Sequence, residues 1–156
     1  MILWAVLAVL LVAFDQITKF LVVQNIGFGD SLTVIPKLFD FTYVKNTGAA
    51  FSVLSEHTWL LSIISVVFCV GIALWFLIKK PESKLVKIAA VLLFSGALGN
   101  AVDRMRLGYV VDFIETVFMD FPVFNVADIL VCTGAGLFLL YELLFDKTPK
   151  KEKKDG

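Results

Sequence analysis

Histidine is almost missing from this chain: His57 is the only one. A lone imidazole argues against zinc motifs of the H-E-x-x-H type and against Ser-His-Asp triads, and a single histidine in a loop reads as a solvated side chain. Cysteine is nearly as scarce. Cys69 and Cys132 each lie inside an apolar run, with no C-x-x-C or Cys/His spacing, so they read as small hydrophobes within helices rather than ligands. No metal and no cofactor are expected. Charge is sparse too, at 18% of residues, where soluble domains average about 25%. The 14 basic residues balance the 14 acidic ones, so no net charge exists to draw in nucleic acid. Internal repeats are lacking, and the lysine-rich tail is the one low-complexity stretch. Residues 1–23 have no basic n-region and no small-x-small cleavage site, and Asp15 and Lys19 interrupt their second half. They read as a retained spanning helix rather than a removable signal peptide.

What the chain does have is apolar surface. Of its 156 residues, 59% are hydrophobic, and they are gathered into runs long enough, at about 20 residues, to cross a bilayer. The expected spans are residues 2–23, 59–78, 86–102 and 129–145. The positive-inside rule orients them. Lys79, Lys80, Lys84 and Lys87 crowd the link between the second and third spans, and Lys147, Lys150, Lys151, Lys153 and Lys154 fill the tail. The other two loops hold Lys37, Lys45, Arg104 and Arg106. Residues 79–85 and 146–156 are therefore expected on the cytoplasmic side, with both termini inside, and residues 24–58 and 103–127 outside. In the first outer segment, Thr33-Val34-Ile35 and Phe39 to Val44 are bounded by turn residues and read as a small antiparallel sheet. The second is rich in aromatics, from Tyr109 to Phe124, and suits an interfacial belt or a lipid-facing groove. The fold class is an all-α membrane protein with four transmembrane helices and a small extracytoplasmic β-sheet, forming one integral membrane domain over 1–156.

Ionisable groups inside spans are costly and mark function by default. At about 1.5 Å per residue, Asp15 lies roughly 20 Å up the first helix and Asn100 roughly 21 Å up the third. Asp128 opens the fourth from the outer side. Three helices thus bring polar groups to one layer. Asp15 and Lys19 share a helical face and form a structural ion pair. Ser95, Gly96, Ala97 and Gly99, with Gly134 and Gly136, allow close helix packing. Asp112 and Asp128 stand out, each in an apolar frame. Two carboxylates brought together in low dielectric cannot both ionise, so one holds a proton while the other accepts one from water. Such a dyad hydrolyses amides without metal or cofactor. A proton-coupled transport subunit using the same carboxylates is the alternative, and a Ser/Lys protease built on Lys19 with Ser52 or Ser95 is a further rival.

The motifs resemble those of the lipoprotein signal peptidase family, also called signal peptidase II. They are Asp15-Gln16-Ile17-Thr18-Lys19; Asn46-Thr47-Gly48-Ala49-Ala50-Phe51; Gly99-Asn100-Ala101-Val102-Asp103-Arg104 with Gly108 to Ile114; and Phe124-Asn125-Val126-Ala127-Asp128. The resemblance implies an aspartyl endopeptidase of the bacterial cytoplasmic membrane, with Asp112 and Asp128 as catalytic dyad and the site towards the outer face. It implies that Asn46, Gly48, Asn100, Arg104 and Asn125 shape the site around the substrate. The implied partners are a prolipoprotein whose lipobox cysteine carries a diacylglyceryl group, membrane lipid, and globomycin-type inhibitors. Cleavage is expected just before that cysteine.

Overall fold

The computed structural model describes residues 1–48 and 58–145. In chain order its elements are α1 (Ile2–Asn25), β1 (Ser31–Ile35), β2 (Phe39–Asn46), α2 (Thr58–Lys79), α3 (Lys84–Leu107), β3 (Val110–Thr116) and α4 (Val126–Leu144). All four helices have the length and apolarity to cross a membrane, with mean hydropathies of 2.1, 2.7, 1.8 and 1.7. Their outward side chains, such as Val9, Phe20, Val67 and Leu139, are exposed and apolar, which is stable only against lipid. Ala49, Ala50, Phe51, Ser52, His57 and the lysines of residues 146–156 lie outside the described residues.

The bundle is organised around α3, which packs against α1, α2 and α4. It is the least hydrophobic of the first three spans, and it buries Ala89, Ala90, Ser95, Gly96, Gly99, Asn100, Ala101 and Asp103. Small side chains let neighbouring backbones come close, and dispersion contacts across such seams hold helices together in lipid. A Cβ on Gly96 would run into the Ala127 carbonyl, and one on Gly134 would lie 2.9 Å from the Ala89 carbonyl oxygen. The α3–α4 seam is therefore closed at two heights by missing side chains. Ser83 caps α3, its Oγ accepting from Val86 N, worth about 1 kcal/mol.

α3 runs to Leu107, beyond Val102 where its apolar run ends; in this extension Asp103 is buried and Arg104 half-buried, while Met105, Arg106 and Leu107 are exposed. Gly108 ends it in the left-handed conformation (φ 78°), its N–H returning to the Arg104 carbonyl. The chain then enters β3, so the aromatic second outer segment contributes a strand that periodicity alone did not reveal. The sheet has order β1-β2-β3, antiparallel throughout. Its first hairpin turns at Pro36-Lys37, with Lys37 at φ 65° and Leu38 N donating to Ile35 O at 3.0 Å. A bulge between Phe41 and Val44 breaks the β2–β3 register, after which Val44, Lys45 and Asn46 pair with Asp112, Val111 and Val110. One face of the sheet packs Tyr43, Val111 and Phe113 with Val22 of α1 into a small core. The other face, by strand alternation, carries Asn46 and Asp112.

Candidate active site

The C-terminal ends of α1 and α3, the N-terminus of α4 and the sheet all meet at one end of the bundle. The backbone there is set by an isolated bridge: Ile114 N donates to Phe124 O at 2.7 Å and Phe124 N to Ile114 O at 3.1 Å. The residue before the α4 cap is thereby tied to the strand carrying Asp112. Asn125 caps α4 reciprocally, its Oδ1 accepting from Asp128 N at 3.0 Å while Asp128 Oδ2 accepts from Asn125 N at 3.1 Å. This capping box fixes the rotamer of Asp128.

Each carboxylate is then held by asparagine. Asp112 Oδ1 accepts from Asn125 Nδ2 at 2.6 Å and its Oδ2 from Asn46 Nδ2 at 2.8 Å. Asp128 Oδ1 accepts from Asn100 Nδ2 at 2.8 Å. Asn125 Nδ2 also donates to Asn100 Oδ1 at 3.1 Å, so Asn100 and Asn125 bridge the two acids. Asp112 is buried. Burial, and secondarily the charge of Asp128, push its carboxyl from 3.8 up to about 6, against the opposing hydrogen bonds of Asn46 and Asn125 and the charge of Lys19. A carboxyl with that value exchanges its proton near neutrality, as acid–base chemistry requires.

Behind this pair lies a second buried cluster. Lys19 Nζ reaches Asp15 Oδ2 at 3.0 Å, Asp103 Oδ2 at 3.0 Å and Asn100 Oδ1 at 2.8 Å. All three ammonium donors are used. The ion pair expected within α1 is thus a bridge to α3, with Asp103 as its second acid. In the sequence that residue stands out as a motif member and as the next candidate acid after Asp112, not as a partner of Lys19. Its spacing of three from Asn100, on one face of α3, was the available signal. Gln16 joins as well, donating to Asp103 Oδ1 at 2.9 Å and Gly99 O at 3.2 Å. Asp15 Oδ1 accepts from Ala127 N at 2.9 Å, fastening the first turn of α4 to α1. Room for Asp15 exists because position 99 is glycine, where a Cβ would lie 2.5 Å from Asp15 Oδ2.

Lys19 Nζ also orders the first pair. Because Asn100 Oδ1 accepts from it, Asn100 must turn its amide hydrogens towards Asp128. Ser95 donates to Ala8 O at 3.4 Å and takes no part, and Lys19 Nζ is engaged by Asp15, Asp103 and Asn100 instead, which argues against the Lys19–Ser95 version of a Ser/Lys protease. Gly48 N donates to Asn46 Oδ1 at 2.9 Å, and Gly48 O accepts from Arg104 Nη2 at 3.0 Å. The buried Nε of Arg104 has no partner among the described residues.

The fold and the site define a multi-pass membrane protein with its polar chemistry gathered at one end of an apolar bundle. The chain is similar to a bacterial membrane enzyme solved by the in meso method at 2.3 Å resolution, with a TM-score of 0.88 and 37% identity, covering 100% of this chain and 96% of that one. A second bacterial membrane enzyme, solved at 1.9 Å, gives a TM-score of 0.84 at 36% identity, covering 94% and 95%. The lipoprotein signal peptidase of Enterococcus faecalis is 38% identical, over 100% of this chain and 96% of its own. That of Lactococcus lactis subsp. lactis is 44% identical over 87% and 89%. The family model described as signal peptidase (SPase) II matches residues 7–145. The chain belongs to the signal peptidase II family.

Proposed function

We propose that this protein is an intramembrane aspartyl endopeptidase that cleaves diacylglyceryl-modified prolipoproteins immediately before the lipidated cysteine. At the coarser level its family makes it a membrane protease that removes signal peptides from prolipoproteins. The observation that carries the aspartyl reading is the joining of Asp112 and Asp128 through Asn100 and Asn125, with Asp112 raised to about 6. In the proposed reaction the dyad shares one proton. The ionised carboxylate takes a proton from water as its oxygen bonds to the scissile carbonyl carbon, and the protonated carboxyl stabilises the developing oxyanion. Collapse breaks the C–N bond, and the leaving amine receives the proton taken from water. Asn46, Asn100 and Asn125 hold the acids in place. Arg104, whose Nη2 donates to the Gly48 carbonyl, is assigned with Gly48 to the edge of the substrate pocket.

The lysine asymmetry supports an orientation with this end of the bundle outside. Lys79, Lys80, Lys84 and Lys87 lie at the opposite end, around the α2–α3 link. A cysteine anchored by two acyl chains then presents its peptide bond at the depth where the acids converge. The test is to incubate purified protein with a diacylglyceryl-modified prolipoprotein and with its unmodified precursor. Release of signal peptide from the first, far faster than from the second, is expected. Equal rates would refute lipid recognition, and loss of activity on chelation with recovery on adding zinc would refute the aspartyl mechanism.

A further inference from the structure

Lys45 has an unusual setting for an exposed lysine. Its Nζ sits 4.7 Å from the ring centroid of Phe28, 5.1 Å from Tyr109 and 5.9 Å from Tyr43. The rings come from three places: the α1–β1 connection, the α3–β3 turn and β2 itself. They also hold one another, Phe28 lying edge-on to Tyr43 at 5.7 Å and the two tyrosine hydroxyls 3.1 Å apart. A cation among ring faces is attracted by each quadrupole, so Lys45 ties three segments at the margin of the small sheet core.

The neighbour of Lys45 gives this arrangement its consequence. Asn46 points to the opposite face of β2 and donates to Asp112. Beyond the bulge, only the pairs at Val44, Lys45 and Asn46 hold β2 to β3. A one-residue slip there would turn Asn46 away from Asp112. We propose that Lys45 is a positioning residue for the peptidase reaction, its cation–aromatic cage fixing the end of β2 so that Asn46 meets Asp112. This rests on the reading of Asp112 as a catalytic acid.

The test uses the full chain in lipid, with diacylglyceryl-modified prolipoprotein as substrate. K45M keeps most of the apolar stem but removes the charge, whereas K45R keeps a cation that stacks on rings. K45A and K45M should each lower kcat about tenfold with KM nearly unchanged. K45R should stay within about twofold of the parent. N46A should lower kcat in the same way, and K45A/N46A should be no worse than N46A, because both changes break one contact. Should K45A fail to fold, K45M and K45R decide the matter. Unchanged kcat in K45M, no rescue by arginine, additive losses in the double variant, or a rise in KM alone would each overturn the inference. D112N separates the two readings: an active D112N refutes the catalytic assignment, whereas an inactive D112N beside a normal K45M refutes only the role of Lys45.

Discussion

Asn125 donates its amide to Asp112 at 2.6 Å and, through the same side chain, caps the helix that begins with Asp128. One residue therefore sets both acids relative to each other, although they stand on a strand and a helix. Its side chain is fully buried, so water cannot replace either bond. A substitution at this position tests the two roles separately. N125S keeps an acceptor for the α4 cap but cannot reach Asp112, while N125A loses both. N125A should be less stable than N125S by about 1 kcal/mol, read as a lower thermal midpoint in detergent. Both should lose activity, by roughly a hundredfold. Normal turnover in N125S would show that the contact with Asp112 is dispensable.

The dyad itself should behave as a unit. D112N and D128N preserve shape but remove the titrating group, so each should lower kcat by at least about a thousandfold, with the double variant scarcely worse. Retained thermal stabilisation by a globomycin-type inhibitor would separate lost chemistry from lost structure. Near-normal turnover in D112N would move attention to Asp103, the acid next to it through Val111 N.

The cluster behind the dyad is expected to act on stability first. K19M would leave Asp15 and Asp103 facing each other without their shared cation, and removing one member of a buried ion pair costs about 3–5 kcal/mol. D15N should be milder, since an asparagine oxygen can still accept from Ala127 N. The measurement is the thermal midpoint of each variant, together with activity in the folded fraction. K19M as stable as the parent would refute the bridging role.

Acid–base behaviour follows from Asp112. Its carboxyl is raised from 3.8 to about 6, by burial first and by Asp128 second. The hydrogen bonds from Asn46 and Asn125 and the charge of Lys19 on α1 oppose that rise. A raised value means that the folded protein holds the proton more tightly than the unfolded chain. Its contribution to stability is complete below about pH 4 and fades as pH climbs through about 6. If turnover needs one proton on the dyad, kcat/KM should fall as pH rises past about 6. N46A removes a donor that favours the ionised form, so the descending limb should move to higher pH. A profile flat from pH 5 to 8 in the parent, or a limb moving downward in N46A, would contradict this assignment; pH 5 and 8 are roughly the bounds of ordinary stability.

Four spans were legible in the sequence because lipid demands long apolar helices whatever the tertiary arrangement. The same constraint made Asp15, Lys19, Asn100 and Asp128 conspicuous, since a polar residue in such a run needs a partner. The β1–β2 hairpin could also be read, from β-branched runs around Pro36. Helical spacing likewise placed Lys19 beside Asp15, because i and i+4 always share a face. Contacts between segments far apart in the chain had no local signature. Asp103 as the second partner of Lys19, β3 as the strand that carries Asp112, and Asn125 as the joint between the acids all depend on how α1, α3 and α4 meet. That meeting is set by steric closeness at Gly96, Gly99 and Gly134 and by the Ile114–Phe124 bridge. Periodicity reports which side of an element is apolar, but only packing decides which polar atoms face each other across it.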